Sequence, residues 1–289
     1  MSAENLLEKV KQLRERTGVG FKDCKNAIDE TNGDIEKSIE LLRKKGIAKA
    51  TKRMGRTAAE GLICIHENEN KFSIIEINSE TDFVAKNKEF IQFAEEVSLL
   101  NFNALGKIEN ILKSKMQNGK NVEESLVDLV SKIGEKITIR RSAFFGNEKL
   151  LNFSYTHAAL KKNIGKLGVL ISIETTKEKN DVMNLGKQLA MHIASSAPLA
   201  IEKEGLDTNI LNKEKEIITE ELKNTGKDIK IVDKIALGKL NKFIGENTLM
   251  NQEWIMEPKK KVKDVIKEFA GKDRFVIKDF LRFKIGEGL

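Results

Sequence analysis

The chain has 289 residues, 33% of them charged and 40% hydrophobic, with a net charge of +7. These values exclude a disordered chain and predict a soluble globular protein of two or three domains with ample material for a core. No run of about 18 apolar residues occurs, so no membrane span is expected, and the start Met1-Ser2-Ala3-Glu4-Asn5-Leu6-Leu7 lacks the basic and apolar blocks of a signal peptide.

Residues 4–16 read as a helix, with Leu6, Leu7, Val10 and Leu13 spaced three to four apart. Thr17-Gly18-Val19-Gly20 stops it, glycine being common past a helix end. A second short helix shows Phe21, Cys24, Ala27 and Ile28 on one side and ends at Asn32-Gly33. Asp34 is placed to cap a third helix, which buries Ile35, Ile39 and Leu42 and is expected to stop at Gly46. Three such helices make a mini-bundle resembling a ubiquitin-associated-type module. The first 56 residues hold 14 Lys/Arg against 9 Asp/Glu, so +5 of the +7 sits there, and residues 43–56 carry seven basic side chains and no acid. That run invites a nucleic-acid reading, yet it has no aromatic for stacking. A solvated basic linker or a surface facing an acidic protein or the ribosome explains it equally well.

The period then changes. Leu62-Ile63-Cys64-Ile65-His66, a polar turn, and Phe72-Ser73-Ile74-Ile75-Glu76-Ile77 read as a β-hairpin. Thr81-Asp82-Phe83-Val84 connects it to a helix carrying Phe90, Phe93, Ala94, Val97 and Leu100. Phe83 there is either a plug for the core or an aromatic presented to a partner. Residues 103–136 are expected to be mostly helical, and residues 137–145 form a strand. A second hairpin, residues 153–160 and 168–174 around a Lys161-Lys162-Asn163 turn, is followed by a helix with Val182, Leu185, Leu189 and Ile193. The two hairpin-plus-helix halves form a weak internal repeat. They differ where strand meets helix: the second half has only the polar Thr175-Thr176-Lys177-Glu178-Lys179. Residues 209–224 and 229–243 read as an antiparallel helical hairpin turning at Thr225-Gly226-Lys227-Asp228. After Trp254-Ile255-Met256-Glu257-Pro258, the chain closes with a helix (Val262, Val265, Ile266, Phe269) and an alternating strand (Phe275, Ile277, Leu281, Phe283, Ile285).

No chemistry of the usual kinds is spelled out. No phosphate-binding glycine loop, nucleophile elbow, His-Glu-x-x-His or Cys-x-x-Cys occurs. His66, His157 and His192 lie far apart, and Cys24 and Cys64 read as small buried hydrophobes in a reducing cytosol. The expectation is a protein that is not an enzyme, with no cofactor and no metal.

Leu13-Arg14-Glu15-Arg16-Thr17-Gly18-Val19-Gly20, Asp23-Cys24-Lys25, Asn32-Gly33-Asp34-Ile35-Glu36, Thr81-Asp82-Phe83-Val84-Ala85-Lys86, Lys132-Ile133-Gly134-Glu135, Met191-His192-Ile193-Ala194, Met256-Glu257-Pro258 and Arg282-Phe283 occur in this order. Together they resemble the bacterial translation elongation factor Ts family over nearly the whole chain. The resemblance implies an α+β protein that exchanges guanine nucleotide on elongation factor Tu in the cytoplasm, binding neither a membrane nor nucleic acid directly. It implies an N-terminal ubiquitin-associated-like module (1–56), a core of two related subdomains (57–150; 151–198 with 242–289) and a helical-hairpin dimerisation module (199–241). A dimer, or a 2:2 assembly with the partner through that hairpin, follows from the same resemblance.

The same resemblance assigns the contact residues. Lys25 matches a lysine touching the partner's nucleotide-binding domain, and Thr81, Asp82, Phe83 and Val84 match the segment whose Asp-Phe pair enters it beside the bound magnesium. Ile133, Gly134, Ile255 and Met256 match further contacts, and His157 a histidine meeting the partner's third domain. Two departures stand out. Phe21-Lys22 follows the first glycine turn where relatives often carry two apolar residues, and the chain ends at Gly286-Glu287-Gly288-Leu289 where many relatives continue into another helix. An altered N-terminal contact and a missing C-terminal one are the expectation.

Overall fold

A computed structural model describes residues 3–17, 19–53, 55–223 and 229–289, with backbone alone at 3–5, 47–52, 223 and 229–231. Gly18 of the first turn and the expected turn at residues 225–228 lie outside the described residues. The fold is α+β, as the resemblance implies.

Helices α1 (Ala3–Thr17), α2 (Phe21–Glu30) and α3 (Ile35–Arg53) pack around Val10, Leu13, Cys24, Ala27, Ile28 and Leu42. The Asp34 carboxylate accepts the Lys37 N–H at 3.0 Å, a cap at the start of α3. The expected stop at Gly46 is wrong: α3 runs on to Arg53. Gly46 instead marks a crossing. A Cβ there would stand 2.5 Å from Ser131 Oγ on helix α7 (Val122–Ile133), so the missing side chain lets the two helices approach.

Strands β1 (Glu60–Asn68) and β2 (Lys71–Ser79) form the first hairpin, and β3 (Ile137–Phe145) pairs with β2. Between β2 and β3 run α4 (Asp82–Ala85), α5 (Lys88–Asn103), α6 (Ile108–Lys113) and α7. The segment 103–136 is therefore less helical than expected; residues 114–121 are turns closed by a Lys115–Asn121 bridge. Asn87 starts α5 by accepting the Glu89 and Phe90 N–H groups. Asn121 and Glu124 form a capping box on α7, which ends at Gly134 in the left-handed region (φ 90°).

In the second half, β4 (Leu151–His157) pairs with β6 (Leu167–Thr175), helix α8 (Lys179–Ser196) covers them, and β7 (Phe275–Lys284) pairs with β6. The expected strand 153–160 ends at His157. Beyond it, the two-residue β5 (Ile164–Gly165) leaves its own half and pairs with β1. The sheets are ordered β3-β2-β1-β5 and β4-β6-β7. The repeat extends to a defect: β2 and β6 each meet a bulge between their sixth and seventh residues, leaving Arg140 of β3 and Lys278 of β7 as the extra residue opposite.

Alternation along the strands builds four layers. Leu62, Cys64, Ile75 and Ile77 face α5 and α7, whereas Ile63, Ile65, Phe72 and Ile74 meet Leu170 and Phe283 of the second sheet. Val169, Ile171 and Ile173 face α8 on the far side. Helices α9 (Thr208–Lys223) and α10 (Ile229–Asn247) pack through Leu211, Leu240 and Ile244, leaving Ile210, Ile217 and Leu237 exposed. Helix α11 (Val262–Ala270) closes the second core. Among the described residues, no helix is long and apolar enough to cross a membrane.

Candidate partner-binding site

In the first half, eight residues (80–87) join strand to helix, and in the second only three (176–178). The extra length holds α4, a single turn. Its inward side is core, with Val84 and Ala85 buried against β1, β2 and α5. Its outward side is Phe83, 80% exposed, the highest value among the large apolar residues whose side chains are described. An apolar ring in water beside two fully used anchors is not packing; the core-plug reading of Phe83 is removed by its exposure.

Asp82 precedes it on the same turn and bonds Lys86 Nζ through Oδ2 at 2.9 Å. The Lys86 ammonium, the largest influence, holds the Asp82 carboxyl below its ordinary range, with a smaller contribution from Lys166. Asp82 is thus an ionised carboxylate, paired with Lys86, beside the exposed ring.

Thr81 is fixed from across the chain. Its N–H donates to Glu135 Oε2 at 3.0 Å and its hydroxyl to Glu135 Oε1 at 2.7 Å. The Lys136 N–H donates to Glu80 Oε1 at 2.6 Å, and Arg56 reaches the Glu80 carboxylate at 3.3 Å. The structure thereby brings Thr81, Asp82, Phe83 and Val84 together with Ile133 and Gly134, because Glu135 follows the glycine that ends α7. Sequence reasoning missed Glu135. It stands in the Lys132-Ile133-Gly134-Glu135 motif, but nothing there gives it a role, since its partner lies 54 residues away.

The other expected contact residues sit on separate elements. Among the described residues, no hydrogen bond, ion pair or ring contact joins them to residues 81–84. Lys25 is exposed on α2. His157 is exposed at the end of β4, its Nδ1 3.1 Å from the Tyr155 hydroxyl. Ile255 is half-buried and Met256 is 44% exposed, on a loop that His192 holds in place. His192 is fully buried and stacks on Trp254 with ring centroids 5.2 Å apart. The Ile255 N–H donates to its Nδ1 at 3.4 Å, so its Nε2–H donates to Gln252 Oε1 at 3.0 Å. Burial lowers the His192 pKa, only partly opposed by the Gln252 bond. This histidine is the neutral post that shapes the Ile255-Met256 loop.

The basic run is largely spent inside the molecule. Arg43 meets Glu124, Lys44 meets Glu40, Lys45 meets Glu30, Arg53 donates to the Val130 carbonyl and Arg56 meets Glu80. Among the described residues, no cluster of three His, Cys, Asp or Glu is placed to hold a metal ion.

A family model described as "Elongation factor TS" matches residues 80–287. Relatives named elongation factor Ts from Methylorubrum populi, Xanthobacter autotrophicus and Bartonella quintana are 40%, 41% and 41% identical to this chain. Each alignment covers 97% of this chain and 92% of the relative.

Proposed function

The chain belongs to the elongation factor Ts family and is a translation elongation factor, and from that premise we propose that it is a guanine nucleotide exchange factor for elongation factor Tu, acting in the cytoplasm. Its role is to bind and distort, not to make or break covalent bonds. The observation that carries the reading is Phe83, 80% exposed on a turn whose neighbouring side chains Val84 and Ala85 are buried.

Asp82 and Phe83 enter the partner's nucleotide-binding domain beside its magnesium ion. The ring separates the elements bordering the nucleotide, and the Asp82 charge disturbs the metal's surroundings. GDP then leaves faster because the factor binds the distorted, nucleotide-poor state more tightly. The loss of GDP affinity that it causes cannot exceed that difference. By reciprocity, incoming nucleotide expels the factor by the same ratio. Exposed Lys25, His157 and Met256, with Ile133, Gly134 and Ile255, add the contacts that hold the factor in register. The apolar outer side of the helical hairpin, with Ile217 and Leu237 exposed, supports an assembly of two copies, or a 2:2 complex, through that arm.

The internal engagement of Arg43, Arg53 and Arg56 supports a basic run that docks α3 on the core over one that binds RNA. Release of a fluorescent GDP analogue from elongation factor Tu, with and without this protein, tests the proposal. Faster release in the presence of this protein is expected; an unchanged rate contradicts it.

A further inference from the structure

Thr81 stands where a threonine ordinarily caps a helix, yet its side chain makes no cap bond to α4. Every polar group it owns is used to fix its position. Its N–H and hydroxyl both go to the Glu135 carboxylate, and its carbonyl accepts the Ser79 hydroxyl at 3.0 Å. The neighbouring Glu80 returns the connection by accepting the Lys136 N–H. Two adjacent acids, one from each segment, thus each bind a backbone amide of the other segment.

A four-residue helix cannot hold its own shape, because one turn gains too few hydrogen bonds for the torsions it fixes. Val84 and Ala85 anchor one side of α4 in the core. On the entry side Asp82 is tied across the turn to exposed Lys86, and Thr81 is held to the rest of the fold by Glu135. A wedge that frays in the free protein must be ordered on binding, which subtracts from affinity. A carboxylate accepting two bonds from one residue is among the stronger restraints a half-buried site offers.

We propose that Glu135 is a positioning residue for nucleotide exchange: through Thr81 it presents Asp82 and Phe83 as one pre-ordered turn, fixed to the Ile133-Gly134 surface. The inference rests on the exchange reading above and names the residue that prepares the wedge. Glu135 does not touch the partner's nucleotide; it acts through Thr81.

The test compares the second-order rate constant of GDP release from elongation factor Tu for wild type, Glu135→Gln, Thr81→Val, Thr81→Ser, Phe83→Ala and Glu135→Gln combined with Phe83→Ala. Melting curves and amide hydrogen exchange at residues 82–85 of the free proteins are measured alongside. Glu135→Gln and Thr81→Val are expected to lose about ten-fold, the value of one charge-assisted hydrogen bond. Thr81→Ser, which keeps both donors, loses less than Thr81→Val, and Glu135→Gln adds less than its full loss on a Phe83→Ala background, since Phe83 is one of the two groups it presents. Amides 82–85 exchange faster in Glu135→Gln at a nearly unchanged melting temperature. Full activity of Glu135→Gln while Phe83→Ala is impaired overturns the positioning role and leaves the exchange reading standing. A loss that adds in full to Phe83→Ala, or that comes only with a lowered melting temperature, assigns Glu135 to the fold and overturns it as well. Normal exchange by Phe83→Ala contradicts the wedge itself, and the positioning role with it.

Discussion

Gly168 of β6 lies against Ile63 of β1 so closely that a Cβ on the glycine would stand 2.7 Å from Ile63 Cγ2. Ile74 and Ile65 close the same spot at 3.0 and 3.2 Å. This is the seam where the two sheets touch, and it sets how the Phe83 half sits relative to the half carrying His157, whose neighbour Thr156 pairs with Gly168. The Gly168 backbone is not left-handed, so alanine fits the chain but not the space. Gly168→Ala is expected to destabilise by about 1–3 kcal/mol through overpacking, read as a lower denaturant midpoint.

Acid should weaken the fold in a defined window. His192 and His66 are both held below the ordinary histidine pKa, with burial the larger cause in each. A histidine kept neutral in the native state protonates more readily when unfolded, so the unfolded chain binds more protons. Stability is then full above about pH 6.5 and falls as pH drops from there through the lowered native values. Urea midpoints between pH 7.5 and 5 check this, and His192→Gln should flatten the slope. A midpoint that rises on acidification contradicts it.

Glu76 is a fully buried carboxylate between the sheets, bonded to Arg140 at 3.1 Å, Arg141 at 2.5 Å, the Asn78 amide and the Gly286 N–H. Burial pushes its pKa up, but the Gly286 N–H, Asn78 and Arg141 together bring it below the usual value. Its contribution is present above the unfolded glutamate value of about 4.3 and lost as pH falls through the native one. Breaking a fully buried ion pair costs about 3–5 kcal/mol. The arginine side chains keep 22% and 31% exposure, so Glu76→Gln is expected to cost less, about 2–3 kcal/mol. Chemical denaturation at pH 7 measures it.

The long amphipathic elements were legible because their apolar period is local. Phe90, Phe93, Ala94 and Val97 announce α5, and all four are buried. What sequence could not supply depends on distant partners. Gly46 reads as a helix stop until Ser131 is seen beside it, and β5 is too short to show a period. Phe83 was ambiguous for the same reason. An aromatic in a connection looks alike whether it plugs a core or leaves one, and only the burial of Val84 and Ala85 shows which side of α4 faces inward. Glu135 stands in the Lys132-Ile133-Gly134-Glu135 motif, but nothing in that motif names Thr81 as its partner. The repeat was visible in pattern, but its matching bulges at Arg140 and Lys278 appear only in the pairing registers.

The measurement that tests the account most directly is GDP release from elongation factor Tu by Phe83→Ala, read beside its unfolding midpoint. Removing a ring that is 80% exposed should change stability by no more than about 0.5 kcal/mol. Exchange should fall by about ten-fold or more, as expected when an aromatic anchor worth about 2 kcal/mol is truncated. Normal exchange, or a loss explained by unfolding, would contradict the wedge.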